Sequence, residues 1–166
     1  MHERFLVVET EWGWCALART EGGLSRSTLP LPSREETVVL LPANACQDER
    51  DELLRAAGAL LVRYFRGERP DLDLPLDLDG RAIFSQRVLR ACAAVPYGQT
   101  CTYGELAKMA GRPGAARAAG QVMARNPLPL FVPCHRIIGA DGRLVGFGAG
   151  LEMKRRLLAH EGVMTA

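Results

Sequence analysis

One stretch near the C-terminal end, residues 126–139, restricts the fold more than any other part of the chain. It reads NPLPLFVPCHRIIG. Pro127 and Pro129 each fix φ and remove a backbone donor, so neither a helix interior nor a central strand accommodates the segment. The apolar residues around these prolines predict a buried, extended segment that ends in a thiol, Cys134. The fold must therefore bury irregular backbone and hold this cysteine in one orientation.

Cys134 is followed directly by a histidine, which makes the pair a candidate nucleophile and base. A thiol becomes a good nucleophile when it loses its proton, and a nearby base or positive charge promotes that loss. Side chains of adjacent residues in an extended segment point to opposite faces, so contact with His135 requires a bend, a helical turn or a bridging water. The alternative is a small buried hydrophobe beside a solvent-facing His135–Arg136 pair. On the dipeptide alone this structural alternative is the commoner case. The rest of the chain favours the catalytic interpretation instead.

The first half of the chain predicts a small sheet covered by one long helix. Short strands are predicted at residues 5–9, 14–18 and 24–29, with a hairpin turn at 21–23. Ser33 and Glu36 have the spacing of a capping box and predict a short helix that continues to Leu40. The clearest helix covers residues 49–66. Its apolar residues recur at helical spacing and form one stripe: Leu53, Leu54, Ala57, Leu60, Leu61, Tyr64 and Phe65.

The middle of the chain predicts a boundary near residue 80. Residues 70–80 alternate acids with leucines and contain two prolines, which is typical of an edge strand or a linker. Residues 1–81 hold 10 Lys and Arg against 15 Asp and Glu, whereas residues 82–166 hold 11 against 4. The first part therefore carries −5 and the second +7, which together give the net charge of +2. A cationic second half predicts contact with a polyanion, and accidental asymmetry of a solvated surface is the alternative.

The second half predicts a helix-turn-helix. Ser85 can cap a helix through Ala94, and the capping box Thr102–Glu105 opens a helix through Ala110. A glycine-containing break follows, and Pro113 suits the first turn of a helix that continues to about residue 125. A helix, a glycine-containing turn and a second helix are the outline of a DNA-binding helix-turn-helix.

The second helix of this pair has an unusually smooth surface with one arginine. Arg117 projects from a run of alanines and glycines, so the helix can approach another surface closely. Small residues also favour tight helix–helix packing, which is the structural alternative. The lone arginine favours contact with the DNA backbone or minor groove. The predicted DNA-binding residues are Arg117, Ala116, Ala118, Gly120, Gln121 and Arg125.

The C-terminal part contains a glycine-rich loop and a last helix. The loop at residues 146–150 lacks the lysine and the spacing of a phosphate-binding loop. We expect its glycines to let the backbone approach a flat ligand. The helix covers about residues 152–160, with Lys154 and the two following arginines mostly outward. Glu161 stands at its C-terminal end, where a carboxylate opposes the helix dipole. A residue placed against its local preference suggests a functional role, although a surface glutamate is the common alternative.

Cysteine and histidine usage excludes several classes of protein. Five cysteines without paired spacing argue against a disulfide framework and suit a reducing cytoplasm. With no Cys-x-x-Cys pair and three histidines, the sequence does not favour a structural zinc site, and a site made of Cys15, Cys46 and His2 is the less common alternative. We expect no metal site and no cofactor. The N-terminal residues lack the features of a signal peptide, and no apolar run approaches membrane-spanning length. We therefore expect a cytoplasmic protein that does not bind membranes. We also expect it to be a monomer.

Together these residues resemble the O6-alkylguanine-DNA alkyltransferase family of the bacterial Ogt type. The resemblance covers about residues 84–163 and extends more loosely into the first half. It depends on three motifs found together: Asn126-Pro127, the Pro-Cys-His-Arg tetrapeptide that contains Cys134, and the sequence LLAHEG at residues 157–162. The resemblance implies an α+β fold. A small N-terminal sheet-plus-helix domain, ribonuclease H-like, would occupy residues 1–80, and a mostly helical DNA-binding alkyltransferase domain with the helix-turn-helix would occupy residues 81–166.

The resemblance also implies roles for particular residues. Cys134 would accept the alkyl group, His135 would remove its proton through a water, and Glu161 would stabilise the imidazolium. Asn126 would brace the segment with side-chain hydrogen bonds, and Tyr103 would donate to N3 of the departing guanine. Arg117 would enter the duplex where the damaged nucleotide is flipped out. The implied substrate pocket contains Met123, Val132, Pro133, Phe147 and Gly148.

The function implied by the resemblance is direct DNA repair by a single-turnover methyltransferase. The chain would bind double-stranded DNA that carries O6-alkylguanine, with O4-alkylthymine as a second candidate, and would keep the alkyl group on Cys134. Phe147 and Gly148 stand where many relatives carry Tyr and Ser, which could weaken hydrogen bonding to O6 or widen the pocket. Two other functions stay open: a lesion sensor that transfers nothing, and a cysteine hydrolase or redox thiol protein.

Overall fold

The computed structural model describes residues 2–163 and has a mixed α+β fold. The chain divides into two compact units that meet in sequence at Asp79 and Gly80. The assignment of separate functions to residues 1–80 and 81–166 stays a prediction. Within the described residues, no helix is both long enough and apolar enough to cross a bilayer.

The first unit is a four-stranded sheet with two helices. Its elements are β1 (Arg4–Thr10), β2 (Gly13–Thr20), β3 (Gly23–Ser27), α1 (Arg34–Val38), β4 (Cys46–Gln47) and α2 (Glu52–Phe65). The strand order is β3-β2-β1-β4, with β1–β2 and β2–β3 antiparallel and β1–β4 parallel. The predicted strands, the hairpin turn at residues 21–23 and the capping box at Ser33 are confirmed.

The acidic, proline-containing segment before residue 80 covers the outer edge of β3. Leu24 N–H donates to Pro75 O at 2.8 Å, and Asp77 N–H donates to Leu24 O at 2.7 Å. Gly23 has φ of +136°, and a Cβ there would lie 2.5 Å from Pro75 O, so this close approach requires glycine. Of the two predicted forms, edge strand or linker, the segment is mostly irregular chain with a single β-bridge, and it protects β3 from pairing with another chain.

Helix α2 packs its apolar stripe on β1 and β2. The helix starts at residue 52 rather than 49 because Asp51 caps it, accepting a hydrogen bond from Leu54 N–H at 2.9 Å. Most of the predicted stripe is buried, but Leu53 and Leu60 are only half-buried at its margins. Gly58 lets the helix approach the sheet, since a Cβ there would lie 2.7 Å from the Val8 side chain.

The second unit is mostly helical. Its elements are α3 (Ile83–Ala93), β5 (Cys101–Thr102), α4 (Tyr103–Met109), α5 (Ala116–Ala124), a single 3₁₀ turn (Cys134–Arg136), β6 (Ile137–Ile138) and α6 (Leu151–His160). Strands β5 and β6 form a parallel pair, α4 packs on α5, and α3 packs on both. The capping box at Thr102 is confirmed.

Three local predictions in this unit are wrong. Helix α3 begins before Ser85, with Ala82 as its N-cap and no side-chain cap, so Ser85 lies inside the first turn. Helix α5 begins three residues after Pro113 because Gly114, with φ of +83°, interrupts the chain there. The chain at Cys134 forms a turn of 3₁₀ helix and is not extended. The side chains of neighbouring residues therefore do not have to point to opposite faces, as they do in extended backbone.

Candidate active site

The proline-rich segment is held in place by its own backbone and by Asn126. The Asn126 side chain donates to Val132 O at 2.8 Å and accepts from Leu128 N–H at 2.9 Å. Val132 N–H closes the loop by donating to Leu128 O at 2.8 Å. Leu130, inside this loop, has φ of +78°, a left-handed conformation that non-glycine residues rarely adopt. The segment is therefore folded back on itself and braced by one amide side chain.

Cys134 follows directly from this braced loop. Its N–H donates to Val132 O at 2.8 Å across Pro133, whose φ of −78° and ψ of 68° are those of an inverse γ-turn. The 3₁₀ turn that begins at Cys134 buries the next two side chains as well. Exposed fractions are 8% for Cys134, 1% for His135 and 6% for Arg136. The alternative with a solvent-facing His–Arg pair is therefore wrong.

His135 is paired with the glutamate at the end of α6. Its Nε2 lies 2.8 Å from Glu161 Oε2, and both side chains are buried. Arg136 approaches the same carboxylate with two nitrogens, Nε at 2.7 Å from Oε1 and Nη2 at 2.9 Å from Oε2. Glu161 was predicted to have a functional reason for its position at the C-terminal end of the helix. Its contacts with His135 and with the guanidinium of Arg136 are consistent with that prediction.

The protonation of this group follows from its contacts. Burial alone would raise the pKa of the Glu161 carboxyl, but the hydrogen bonds and charges of His135 and Arg136 outweigh it and hold that pKa well below its usual range. Glu161 is therefore an anion, which can only accept hydrogen bonds. The proton between the two residues belongs to His135 Nε2, so Nδ1 is the ring nitrogen with a lone pair. A neutral imidazole in this tautomer can take a proton at Nδ1.

The thiol and the imidazole are both biased towards their neutral forms. Burial lowers the pKa of His135, with further lowering by the charges of Arg136 and Lys154, and the Glu161 contact opposes these effects. Burial raises the pKa of Cys134, and the Asn126 side chain, the Lys154 charge and two backbone N–H groups oppose that rise. The groups that surround Cys134 thus favour the thiolate, while burial favours the thiol.

Lys154 is a site residue that the sequence analysis placed on the wrong side of α6. It was expected to face outward, but its side chain is fully buried. Its Nζ donates to Val145 O at 3.0 Å and lies 5.8 Å from the centroid of the Tyr103 ring. Burial lowers the pKa of Lys154 to about 8, against the opposing charges of Cys134 and Cys92.

Tyr103 converges on the same carbonyl group. Its hydroxyl donates to Val145 O at 3.1 Å, so this one oxygen accepts from both Tyr103 and Lys154. Burial, followed by the nearby Cys134 and Cys92, raises the pKa of Tyr103, which keeps the phenol protonated and able to donate. The carbonyl at the start of the glycine-rich loop is therefore tied to α4 and α6 at once.

The predicted DNA-facing residues lie along α5 and just beyond it. Arg117, Gln121 and Arg125 are exposed, whereas Ala116, Ala118 and Gly120 are half-buried. Gly120 lies next to the Tyr103 ring, and a Cβ at this position would be 3.6 Å from that ring. Of the small residues, Gly120 has the Tyr103 ring as a neighbour, and the three long polar side chains are exposed.

The predicted pocket residues divide into a buried group and a loop group. Met123, Val132 and Pro133 are buried beside the braced segment. Phe147 is half-buried, with its ring centroid 5.9 Å from Lys154 Nζ, and Gly148 is exposed with open space where a Cβ would stand. Among the described residues, no group of three or more His, Cys, Asp or Glu side chains could hold a metal ion.

Comparison with known proteins gives a consistent picture for the second unit. The family described as "6-O-methylguanine DNA methyltransferase, DNA binding domain" matches residues 83–163. The methylated-DNA–protein-cysteine methyltransferase of Mycolicibacterium paratuberculosis is 51% identical over 107 residues, which are 63% of this chain and 64% of that protein. The match thus spans a little under two thirds of the length of this relative.

Two further relatives match over nearly the whole chain. The protein of the same name from Methanosarcina barkeri is 36% identical over 155 residues, 93% of this chain and 94% of that protein. The crystal structure of Mycobacterium tuberculosis OGT in complex with DNA superposes with a TM-score of 0.78 and 37% identity, and covers 97% of this chain and 92% of that one. The α+β architecture of both units is therefore shared with solved relatives.

Proposed function

The chain belongs to the 6-O-methylguanine DNA methyltransferase family, and on that premise we propose that it repairs DNA by moving an alkyl group from O6 of guanine to Cys134. The observation that carries the proposal is the buried series Cys134, His135 and Glu161. Glu161 fixes the His135 tautomer at a hydrogen-bond distance of 2.8 Å, so that the free ring nitrogen can accept a proton. This is the nucleophile, base and orienting carboxylate of catalytic triads, applied to a thiol.

The reaction starts with the thiol proton. It moves from Cys134 Sγ to His135 Nδ1, through a water in our proposal, and the resulting imidazolium is stabilised by the Glu161 carboxylate. The thiolate attacks the alkyl carbon, a new C–S bond forms, and the C–O6 bond breaks. The electron pair of the broken bond stays on the guanine, which leaves as an anion. A soft, polarisable sulfur suits this displacement at saturated carbon, and Lys154 offsets the negative charge of the thiolate.

Tyr103 is our candidate for neutralising the departing guanine at N3. Its phenol stays protonated, as a donor must. In the structure, its hydroxyl donates to Val145 O, so this bond must be exchanged for one to the base. Lys154 also donates to Val145 O and can keep that carbonyl satisfied after the exchange. We propose that this shared acceptor lets Tyr103 turn to the base while the Val145 carbonyl keeps its hydrogen bond from Lys154.

The transfer is proposed to happen once per molecule. The product is a thioether, which has no easily displaced group and needs a strong nucleophile for removal. Cys92, whose pKa burial raises well above its usual value, is poorly suited to attack it. The protein therefore acts as a stoichiometric acceptor, with no cofactor or metal in the reaction.

Access to O6 requires the damaged nucleotide to leave the double helix. We propose that α4 and α5 act as a helix-turn-helix and that Arg117, exposed on α5, enters the duplex in place of the flipped nucleotide. Ala116, Ala118 and Gly120 let the helix approach the DNA backbone closely, with Gln121 and Arg125 as flanking contacts. The DNA-bound structure of the Mycobacterium tuberculosis relative and the positive charge of residues 82–166 support double-stranded DNA as the partner.

Several finer assignments belong to the same proposal. The first unit is proposed to be ribonuclease H-like, and the whole chain a cytoplasmic monomer. Tolerance of alkyl groups larger than methyl and of O4-alkylthymine is part of the same proposal, with Met123 and Phe147 lining the pocket. Among the alternatives, a sensor without transfer would need no activated thiol, whereas the Asn126 hydrogen bond and the Lys154 charge lower the pKa of Cys134 against burial and so favour its thiolate.

A stoichiometry assay tests the proposal. The protein is titrated with duplex DNA that carries a radiolabelled methyl group on O6 of one guanine, and protein-bound label is counted. We expect label to saturate at one methyl per protein, and we expect none on the Cys134→Ala variant, which should still bind the duplex. Cys46→Ala, at an exposed cysteine, is the matched control and should label fully. Continued release of labelled product would support a hydrolase, and binding without label would support the sensor.

A further inference from the structure

Arg136 has no role in the chemistry described above, although it is among the most tightly held side chains of the site. Only 6% of the residue is exposed. Its Nε and Nη2 form a fork on both oxygens of Glu161, at 2.7 and 2.9 Å. Its remaining nitrogen, Nη1, donates to Val95 O at 2.7 Å, and its guanidinium carbon lies 5.7 Å from the centroid of the Tyr97 ring. A fork of this kind fixes the plane of a carboxylate as well as its distance.

The contacts of Arg136 tie the end of α6 to the end of α3. Val95 follows the last turn of α3, and Glu161 follows the last turn of α6. A carboxylate at the C-terminal end of a helix is repelled by the helix dipole, so Glu161 would turn away without a cation to hold it. His135 alone cannot supply that cation, because it has to be neutral before it accepts a proton.

We propose that Arg136 is a positioning residue that orients Glu161 towards His135 and keeps His135 neutral until the thiol proton arrives. The two effects have one origin. Glu161 draws a proton towards His135, and a permanent cation on the same carboxylate counteracts that attraction. Burial is the largest influence that favours the neutral imidazole, and the charge of Arg136 adds to it. Without Arg136, the carboxylate would favour the imidazolium more strongly, and less of the protein would hold a neutral base. The inference deepens the proposed function and rests on it for its consequence, but the arrangement itself can be measured without any substrate.

Other charged groups near His135 act on it in known directions. Glu161 favours the imidazolium, whereas Arg136 and Lys154 disfavour it. Cys134 precedes it in the turn and exchanges its proton with it in the proposed reaction. Of these groups, Arg136 is the one that contacts the same carboxylate as His135, so its replacement should change both the orientation of Glu161 and the titration of His135.

The experiment is a titration of His135 by NMR with the full chain labelled in its histidine rings. The sequence has three histidines, and His135→Gln identifies the signal. We expect Arg136→Met to move the His135 midpoint upward by about one pH unit, and Arg136→Lys to restore most of the change because a cation remains. Arg63→Met is the matched control, because Arg63 forms an exposed pair with Glu68 at 3.1 Å in the first unit.

The same variants are then assayed for methyl transfer across the pH range. For Arg136→Met we expect a rate about tenfold lower below neutral pH, with recovery towards the wild-type rate at alkaline pH, where the imidazole is neutral again. An unchanged His135 midpoint, or a rate loss equal at every pH, would overturn the proposal and leave Arg136 as a structural residue.

A variant with the opposite sign covers the case in which Arg136→Met fails to fold. Glu161→Gln removes the group that favours the imidazolium, so the His135 midpoint should fall, and a rise or no change would contradict the inference. If no variant and no wild-type protein transfers methyl groups, the proposed function fails, whereas the NMR titration still decides the inference about Arg136.

Discussion

Replacement of Asn126 by alanine should destabilise the second unit by an amount that its contacts define. Asn126 accepts from Leu128 N–H at 2.9 Å and donates to Val132 O at 2.8 Å. Both partner residues have no exposed surface. An orphaned buried N–H costs about 1–3 kcal/mol, and a lost hydrogen bond to a carbonyl that keeps another partner costs about 0.5–1.5 kcal/mol. Val132 O does keep one partner, Cys134 N–H at 2.8 Å. The expected loss is therefore about 1.5–4.5 kcal/mol.

The assay is equilibrium urea unfolding, followed by far-ultraviolet circular dichroism. Asn44→Ala is the matched control, because Asn44 is the one other asparagine in the sequence and is exposed. We expect Asn44→Ala to change the free energy of unfolding by less than about 0.5 kcal/mol. A loss for Asn126→Ala that is as small as that of the control would refute the argument that this amide braces the segment.

A second readout of the same variant concerns the thiol. The Asn126 side chain is the strongest of the groups that hold the pKa of Cys134 down against burial. In Asn126→Ala the pKa of Cys134 should rise further, so methyl transfer should slow more near neutral pH than at alkaline pH. A uniform slowing across the pH range would mean that Asn126 acts on geometry alone.

Three further changes give separate tests. Cys134→Ser should abolish transfer, because the serine oxygen is a poor nucleophile here. Duplex affinity, measured by fluorescence anisotropy, should stay within about twofold of the wild-type value. An equal loss of transfer and affinity would make Cys134 a structural residue. Arg117→Ala should slow transfer from duplex substrate by about tenfold or more and from single-stranded substrate much less, whereas exposed Arg143→Ala should affect both little; an equal loss for Arg117→Ala would argue against insertion into the duplex. The pKa of Lys154 is about 8 in the native state, against about 10.4 in the unfolded chain. Between these two pH values the native state binds fewer protons than the unfolded state, so the stability that depends on this residue rises with pH. Lys154→Met should remove that rise in urea unfolding measured across the window, and an unchanged pH dependence would mean that Lys154 is not desolvated.

Much of the local structure could be predicted because it depends on signals within a few residues. The capping boxes at Ser33 and Thr102 each place their own donor and acceptor at fixed spacing, and both are present. The stripe of α2 is a periodic pattern of the same local kind. The predicted start of α5 was wrong. Whether Pro113 begins the helix or Gly114 takes a positive φ and delays it depends on how the turn packs.

The inward position of Lys154 could be predicted from the helical period of the sequence, but its charged side chain led to the opposite prediction. Lys154, Leu157, Leu158 and Glu161 stand at i, i+3, i+4 and i+7, the spacing of a single helix face, and all four are buried. A lysine on such a face conflicts with the rule that charged residues are usually exposed. The prediction followed this rule and not the helical period. Arg136 had no such signal, because its partners Val95 and Glu161 are distant in sequence and only the folded chain brings them together.

The motif around Cys134 predicted a nucleophile, but its conformation could not be deduced from the pattern. The prolines excluded regular structure and were consistent with extended backbone, whereas the structure has a braced loop, a γ-turn and a 3₁₀ turn in succession. The left-handed Leu130 has no sequence signal, since glycine is the residue that usually marks such a position. These conformations are imposed by the burial of the segment and by the Asn126 contacts.

The central claim is that one sulfur atom receives the alkyl group and keeps it. Intact-mass measurement after incubation with O6-methylguanine duplex, followed by peptide mapping, tests this directly. The account predicts one added methyl group on every molecule, located on Cys134, with unmodified guanine left in the DNA. A methyl group on any other residue, or an unmodified protein beside repaired DNA, would contradict it.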